Sequence, residues 1–154
     1  MNSQGCPGSR TVDRSDEKDK ENVGGGQSHL RQWPVQLHLV SPTAPYYKDA
    51  DVLLCADCVA YAVGNFHNEF LKDHSIAIAC PKLDRETDTY VKKVKAWVDK
   101  GEINTLTVMT MEVPCCQGLL KMAEHALDEA EGEVPLRHVV VGLNGEVKEE
   151  KWVN

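Results

Sequence analysis

The stretch DVLLCADCVAYAVGNFHNEFLKDHSIAIAC, residues 51–80, reads as one strand–helix–strand unit, and that reading decides the fold. Residues 51 to 56 are nearly all apolar and predict a strand. Gly64 to Lys72 predicts a short helix with Phe66, Phe70 and Leu71 on one face. IAIAC at 76–80 predicts the next strand. Strands that are apolar on both faces, with no polar alternation, need cover from both sides, which is the habit of parallel strands joined by helical crossovers.

The same alternation continues downstream. After Asp84, read as an N-cap, Tyr90, Val91, Val94, Trp97 and Val98 recur at helical spacing up to a stop at Gly101. TLTVMTMEV at 105–113 predicts a strand, and Gln117 to Glu131 a helix with Leu119, Leu120, Ala123, Ala126, Leu127 and Ala130 on one stripe. LRHVVVGL predicts a further strand, and Asn144-Gly145 a turn that opens a polar tail. Upstream, VQLHLV at 35–40 reads as a strand and SPTAPYYKDA as a loop, because its prolines interrupt any helix. The expectation is a Rossmann-like three-layer α/β fold with a mostly parallel sheet of about five strands and right-handed crossovers. No G-x-G-x-x-G or P-loop follows a strand, so nothing points to nucleotide binding.

The first 29 residues differ in kind. Only Met1, Cys6, Val12 and Val23 among them are apolar, and Gly24-Gly25-Gly26 lies near the end. Such a composition cannot bury enough surface to offset its ordering entropy. Residues 1–29 are therefore expected to be a polar arm with a Cys-Pro-Gly-Ser turn, flexible over 7–29, ahead of a domain at 30–154. The chain has 154 residues, 24 Asp and Glu against 17 Lys and Arg, and a net charge of -7. That acidity, with no basic stripe, argues against nucleic acid, whose binding runs on clustered cations. No apolar run approaches the roughly 20 residues of a membrane span. With no apolar segment of the signal-peptide kind near Met1, a cytoplasmic location is expected.

Six cysteines in a reducing compartment point to metal or thiol chemistry rather than disulfides. Cys58 falls just after one expected strand, Cys80 ends the next, and Cys115 and Cys116 follow another. In an open parallel sheet the carboxyl ends of the strands share one edge, where such folds bind ligands. If the strands are neighbours, these thiols converge. Cys115 and Cys116 also stand at the start of a helix, whose unpaired N–H groups and dipole lower a thiol pKa. Lys82 follows Cys80 closely enough to place a positive charge beside an anionic site. His67 is placed to reach the same edge, and Cys6 to arrive on the arm as a capping ligand. Cys55, inside a strand, reads as a core side chain. Soft ligands of this number suit zinc, copper(I) or an iron–sulfur cluster.

The segments GCPGSR, LRQWPVQLHLVSPTAPY, DADVLLCADCVAYAVGNFHNEFL, IACPKLD and MEVPCCQGL resemble a family of small proteins of anaerobic bacteria and archaea labelled iron–sulfur cluster-binding or ferredoxin-like. The resemblance covers nearly all of the chain except residues 11–29. It implies an iron–sulfur cluster, or another thiolate-bound metal, with Cys58, Cys80, Cys115 and Cys116 at the matching cysteine positions and Cys6 in the matching turn. Members often carry Ala where Cys55 stands. Longer members are fused to a ferredoxin module whose C-x2-C-x2-C-x3-C-P run holds a [4Fe–4S] cluster, and no such run occurs in this chain.

The first expectation for function is an iron–sulfur protein, its cluster [4Fe–4S], serving electron transfer or redox sensing with a redox partner protein. No general-base constellation accompanies the cysteines, which leans against an enzyme. A second expectation is a thiol redox or sulfur-carrier protein using Cys115 or Cys116 as nucleophile with Cys80 or Cys58 resolving. A zinc site is the third. A homo-oligomer stays open.

Overall fold

A computed structural model describes residues 6–18 and 26–154, and the described residues run through ten regular elements. In chain order these are β1 (Val12–Asp13), β2 (Gln32–Trp33), β3 (Asp51–Ala56), α1 (Val59–Ala62), β4 (His74–Ala79), α2 (Asp88–Asp99), β5 (Thr105–Met111), α3 (Gln117–Glu129), β6 (Leu136–Val141) and β7 (Val147–Trp152). The main sheet has the order β4-β3-β5-β6-β7. The first four of these strands are parallel, and β7 closes the sheet antiparallel to β6.

The apolar runs account for this arrangement. Val52 to Ala56 of β3 and Leu106 to Met111 of β5 are buried without a break, as central parallel strands must be when both faces are covered. One cover is the pair α2 and α3, which pack on each other. Their buried stripes, Tyr90, Val94, Trp97 and Val98 on α2 and Leu119, Ala123 and Ala126 on α3, follow the helical spacing read from the sequence. Right-handed crossovers then put α1 and the turn after it on the opposite face. The chain first adds β4 on one side of β3 and then crosses back to add β5 on the other. The strand order thus reverses between β3 and β5, which makes a topological switch point at their carboxyl ends.

Several local expectations are corrected. VQLHLV is not a strand: Gln36 makes a single parallel bridge to Ile78, and the chain then turns. The Lys93 ammonium accounts for the turn, since it donates to the carbonyls of Leu37, His38 and Val40 at 2.7–2.9 Å and so pulls them out of any ladder. The fifth strand comes instead from the tail, as β7, which pairs with β6 although all six of its residues are exposed. Gly64 to Lys72 holds a π-helical turn at His67–Leu71 in place of an α-helix. The helix after Asp84 starts later, at Asp88, with Thr87 at its N-cap, so Asp84 does not cap it.

The arm is also less free than its composition suggests. Val12–Asp13 pairs with Gln32–Trp33, Trp33 Nε1–H donates to the Gly8 carbonyl at 2.7 Å, and the Arg14 guanidinium donates to the Leu30 carbonyl at 2.8 Å. Residues 1–5 and 19–25, including Gly24 and Gly25, lie outside the described residues.

The Asn144-Gly145 turn is formed as expected and joins β6 to β7. Gly145 has φ +87°, and a β-carbon there would stand 2.2 Å from the Ala62 carbonyl of α1. Both the backbone conformation and the contact require glycine. Gly145→Ala is expected to cost about 2–4 kcal/mol in urea denaturation, since neither backbone can yield without unseating α1 or the hairpin. A loss under about 0.5 kcal/mol would show the turn to be loosely seated.

β6 buries His138 against β5, where its Nε2 and Thr110 Oγ1 share a hydrogen bond of 2.9 Å. Burial first, and then the Lys151 ammonium, hold the imidazole below the usual histidine range, against opposing pulls from Glu149 and Glu124. The folded chain therefore binds fewer protons at this site than the unfolded chain. Its effect is to withdraw stability as pH falls below about 6.5, where the unfolded histidine begins to charge. His138→Gln keeps a partner for Thr110 and should lose less stability than wild type between about pH 7.5 and 5 in parallel urea titrations. Equal losses would contradict a neutral buried His138.

Candidate metal centre

The condition on which convergence depends is met. Cys58 follows β3, Cys80 follows β4, and Cys115 with Cys116 follows β5, and in the sheet these strands are adjacent in the order β4-β3-β5. Neighbouring strands lie about 4.8 Å apart, so Cys58 occupies the middle of a short row of strand ends that spans the switch point. Cys58 is exposed in the turn that opens α1. Cys80 is half-buried, and Cys115 is exposed in the 3-10 turn Pro114–Cys116 that leads into α3.

A packing contact and an electrostatic influence tie the row together. A β-carbon on Gly118, in the first turn of α3, would lie 3.4 Å from Pro81 Cβ, so the loop after Cys80 reaches across the end of β3 to the helix that follows Cys115 and Cys116. Within the row, the Cys116 thiol feels the charge of both Cys115 and Cys58. Thiols from two different strand ends therefore share one electrostatic neighbourhood.

That coupling corrects one expectation. Cys116 stands at the N-cap of α3, yet its thiol is pushed up from the ordinary value. Burial is the main cause, with the like charges of Cys115 and Cys58 adding to it and a hydrogen bond with the Met111 backbone opposing it. Desolvation of a nearly covered sulfur outweighs the helix terminus there. Cys55 is fully enclosed in β3 and burial alone drives its thiol far up, which agrees with a core role.

The remaining residues fall elsewhere. His67 Nδ1 accepts the His29 backbone N–H at 3.0 Å, so the neutral ring carries its hydrogen on Nε2 and offers no lone pair to an ion. Burial and then His29 hold its imidazole below the usual range, consistent with that neutral form. Cys6 is exposed at the head of the turn Pro7–Ser9, hung from Trp33. Trp33 follows Gln32, whose amide pairs with the backbone of Ile76 at 2.7 and 2.8 Å, so this turn lies outboard of β4. Lys82 is exposed in the loop after Cys80.

Sequence reasoning passed over a polar group beneath Cys80. Asp84 Oδ2 accepts the Cys80 N–H at 2.8 Å and the Tyr90 hydroxyl, while the Asp84 N–H donates back to the Cys80 carbonyl at 2.9 Å. Asp57 adjoins it: its carboxyl is raised by burial and by the Asp84 charge, and its Oδ1 is buried without a hydrogen-bond partner. The only trace in the sequence is the position of Asp84 four residues after Cys80.

As the side chains stand, no group of three or more His, Cys, Asp or Glu among the described residues is gathered closely enough to hold an ion. The thiols are donors of the kind that suits a soft metal. A cavity of about 540 Å³ bounded by Tyr46, Lys48, Asp49 and His74 opens at the amino-terminal ends of β3 and β4, the far side of the sheet from the cysteines.

Residues 44–154 match the model of a Rossmann-like domain family, and the chain belongs to that family. It is similar to an uncharacterized protein of Archaeoglobus fulgidus, 32% identical over 119 residues, covering 77% of this chain and 83% of the relative. No solved structure matches. No helix among the described residues is long and apolar enough to cross a membrane.

Proposed function

We propose that the protein is a cytoplasmic iron–sulfur protein of electron-transfer or redox-sensing type, with Cys58, Cys80, Cys115 and Cys116 as the ligand set. The observation that carries this reading is that Cys58, Cys80 and the Cys115–Cys116 pair follow three adjacent parallel strands at the switch point, with the Cys80 loop packed against the start of α3. Burial and the neighbouring Cys115 and Cys58 charges make the Cys116 thiol costly to ionise, and a bound cation removes that cost. A bound [4Fe–4S] cluster would supply one-electron transfer.

The chain's own part is placement. β3, β4 and β5 present the thiols from rigid elements, and the 3-10 turn Pro114–Cys116 leads straight into α3, whose dipole favours negative charge at that end. Lys82 adds a mobile positive charge at the rim, and the exposure of Cys58 and Cys115 leaves the edge open to a redox partner protein. The same two exposed thiols support a second reading, in which Cys115 is a nucleophile and Cys58 resolves it.

Purification under argon separates these readings. Broad visible absorbance with matching iron and sulfide supports the first. Colourless, metal-free protein with fast alkylation of Cys115 supports the second, and colourless protein loaded with zinc overturns both in favour of a closed zinc site.

A further inference from the structure

Tyr90 lies on the first turn of α2 with its side chain wholly buried, and His38 packs against its ring, tilted by 45°, at a centroid distance of 4.4 Å. His38 is itself fixed, its Nε2 lying 2.7 Å from the Arg85 carbonyl. The Tyr90 hydroxyl, so held, donates to Asp84 Oδ2. The same oxygen accepts the Cys80 N–H, and the Asp84 N–H returns to the Cys80 carbonyl. Both backbone groups of Cys80 are thereby tied to one residue, and that residue is tied to the helix core. The loop Cys80-Pro81-Lys82-Leu83-Asp84 is closed at its two ends, with Lys82 and Leu83 left exposed at its tip.

We propose that Asp84 is a positioning residue for Cys80, and that with Tyr90 behind it the Cys80–Asp84 loop is a preformed ligand turn that aims the Cys80 sulfur at the sheet edge. This rests on the reading of Cys80 as a metal ligand. A carboxylate suits the task because it accepts two hydrogen bonds at once on a single oxygen, and bonds to an ionised acceptor are stronger than neutral ones. The arrangement also explains an aspartate that neither caps α2 nor pairs with a cation in any contact described. The adjacent buried Asp57 oxygen shows that this pocket accepts carboxylate at a cost, as expected where position is worth more than local stability.

The test uses metal-free protein, so it stands apart from whether a cluster binds. Amide hydrogen exchange is followed by NMR at Cys80 and at Ile78, whose N–H is bonded to the Val35 carbonyl at 2.8 Å. Asp84→Ala should speed exchange at Cys80 by about tenfold or more while Ile78 stays protected, as loss of one charge-assisted bond requires. Asp84→Asn, which keeps an acceptor oxygen, should return the Cys80 rate to within about threefold of wild type. Tyr90→Phe, which keeps the ring, should give an intermediate rise and covers the case in which Asp84→Ala does not fold.

In reconstituted protein the Ala variant should lose its visible absorbance to a chelator several-fold faster than the Asn variant. The clamp is overturned by an unchanged Cys80 rate in both Asp84→Ala and Tyr90→Phe, by equal acceleration at Ile78, or by an Asn variant that behaves as Ala does. Failure of the iron–sulfur reading looks different: wild type stays colourless after reconstitution while the exchange pattern holds.

Discussion

Cys80→Ala is expected to abolish the visible absorbance of protein purified under argon, whereas Cys55→Ala leaves it unchanged. Both residues are cysteines in or just after adjacent parallel strands, so composition alone does not separate them. Their surroundings do. Cys55 is enclosed by β3 and its neighbours and its thiol is far from ionising. Cys80 has left the ladder, is half-buried, and is held by Asp84 at the edge that Cys58 and Cys115 share. Loss of one thiolate from the proposed four-thiolate site would remove a covalent ligand that His67, engaged by His29, does not replace. Cys55→Ala should cost only stability, about 1 kcal/mol for the small cavity it leaves. Equal loss of absorbance from both variants would place the site inside the sheet rather than at its edge.

Lys93→Met is expected to destabilise the folded chain by about 2–4 kcal/mol in urea denaturation. The side chain of Lys93 leaves α2 to meet three carbonyls of the 37–40 turn. Methionine fills the space of the stem but offers no donor, so three carbonyls that face it lose their partner. The same turn carries Leu37 and Val40 into the core and His38 onto Tyr90. Its loosening should therefore also quicken exchange at the Cys80 amide. A change below about 1 kcal/mol would mean that water replaces the ammonium at no cost.

Most of the fold was legible because buried parallel strands and amphipathic crossovers leave strong local patterns. β3, β5, α2 and α3 show them over whole elements. The misreadings came where a distant partner decides. VQLHLV has the look of a strand, and what turns it is an ammonium more than fifty residues away. β7 is polar on both sides, so nothing in VKEEKW announces a strand. It forms because β6 offers an open edge and the Gly145 turn delivers the tail to it, and its charges guard the edge it then presents. The count of about five strands was right with one member exchanged.

At the site, the position of each cysteine relative to its strand could be read, because strand ends are local features. That β4, β3 and β5 are adjacent could not, and neither could the burial that raises Cys116. Asp84 was visible but misassigned. A carboxylate ahead of a helix fits an N-cap by sequence, and only the fold shows it turned back to Cys80 and Tyr90.

Native mass spectrometry of wild-type protein reconstituted under argon with ferrous iron and sulfide reads cluster binding itself. A single mass increment equal to one cluster of four irons and four sulfides is expected, absent from Cys58→Ala and Cys80→Ala and present in Cys55→Ala. A wild-type chain that keeps its apo mass, or takes up only a zinc ion, would contradict the iron–sulfur reading.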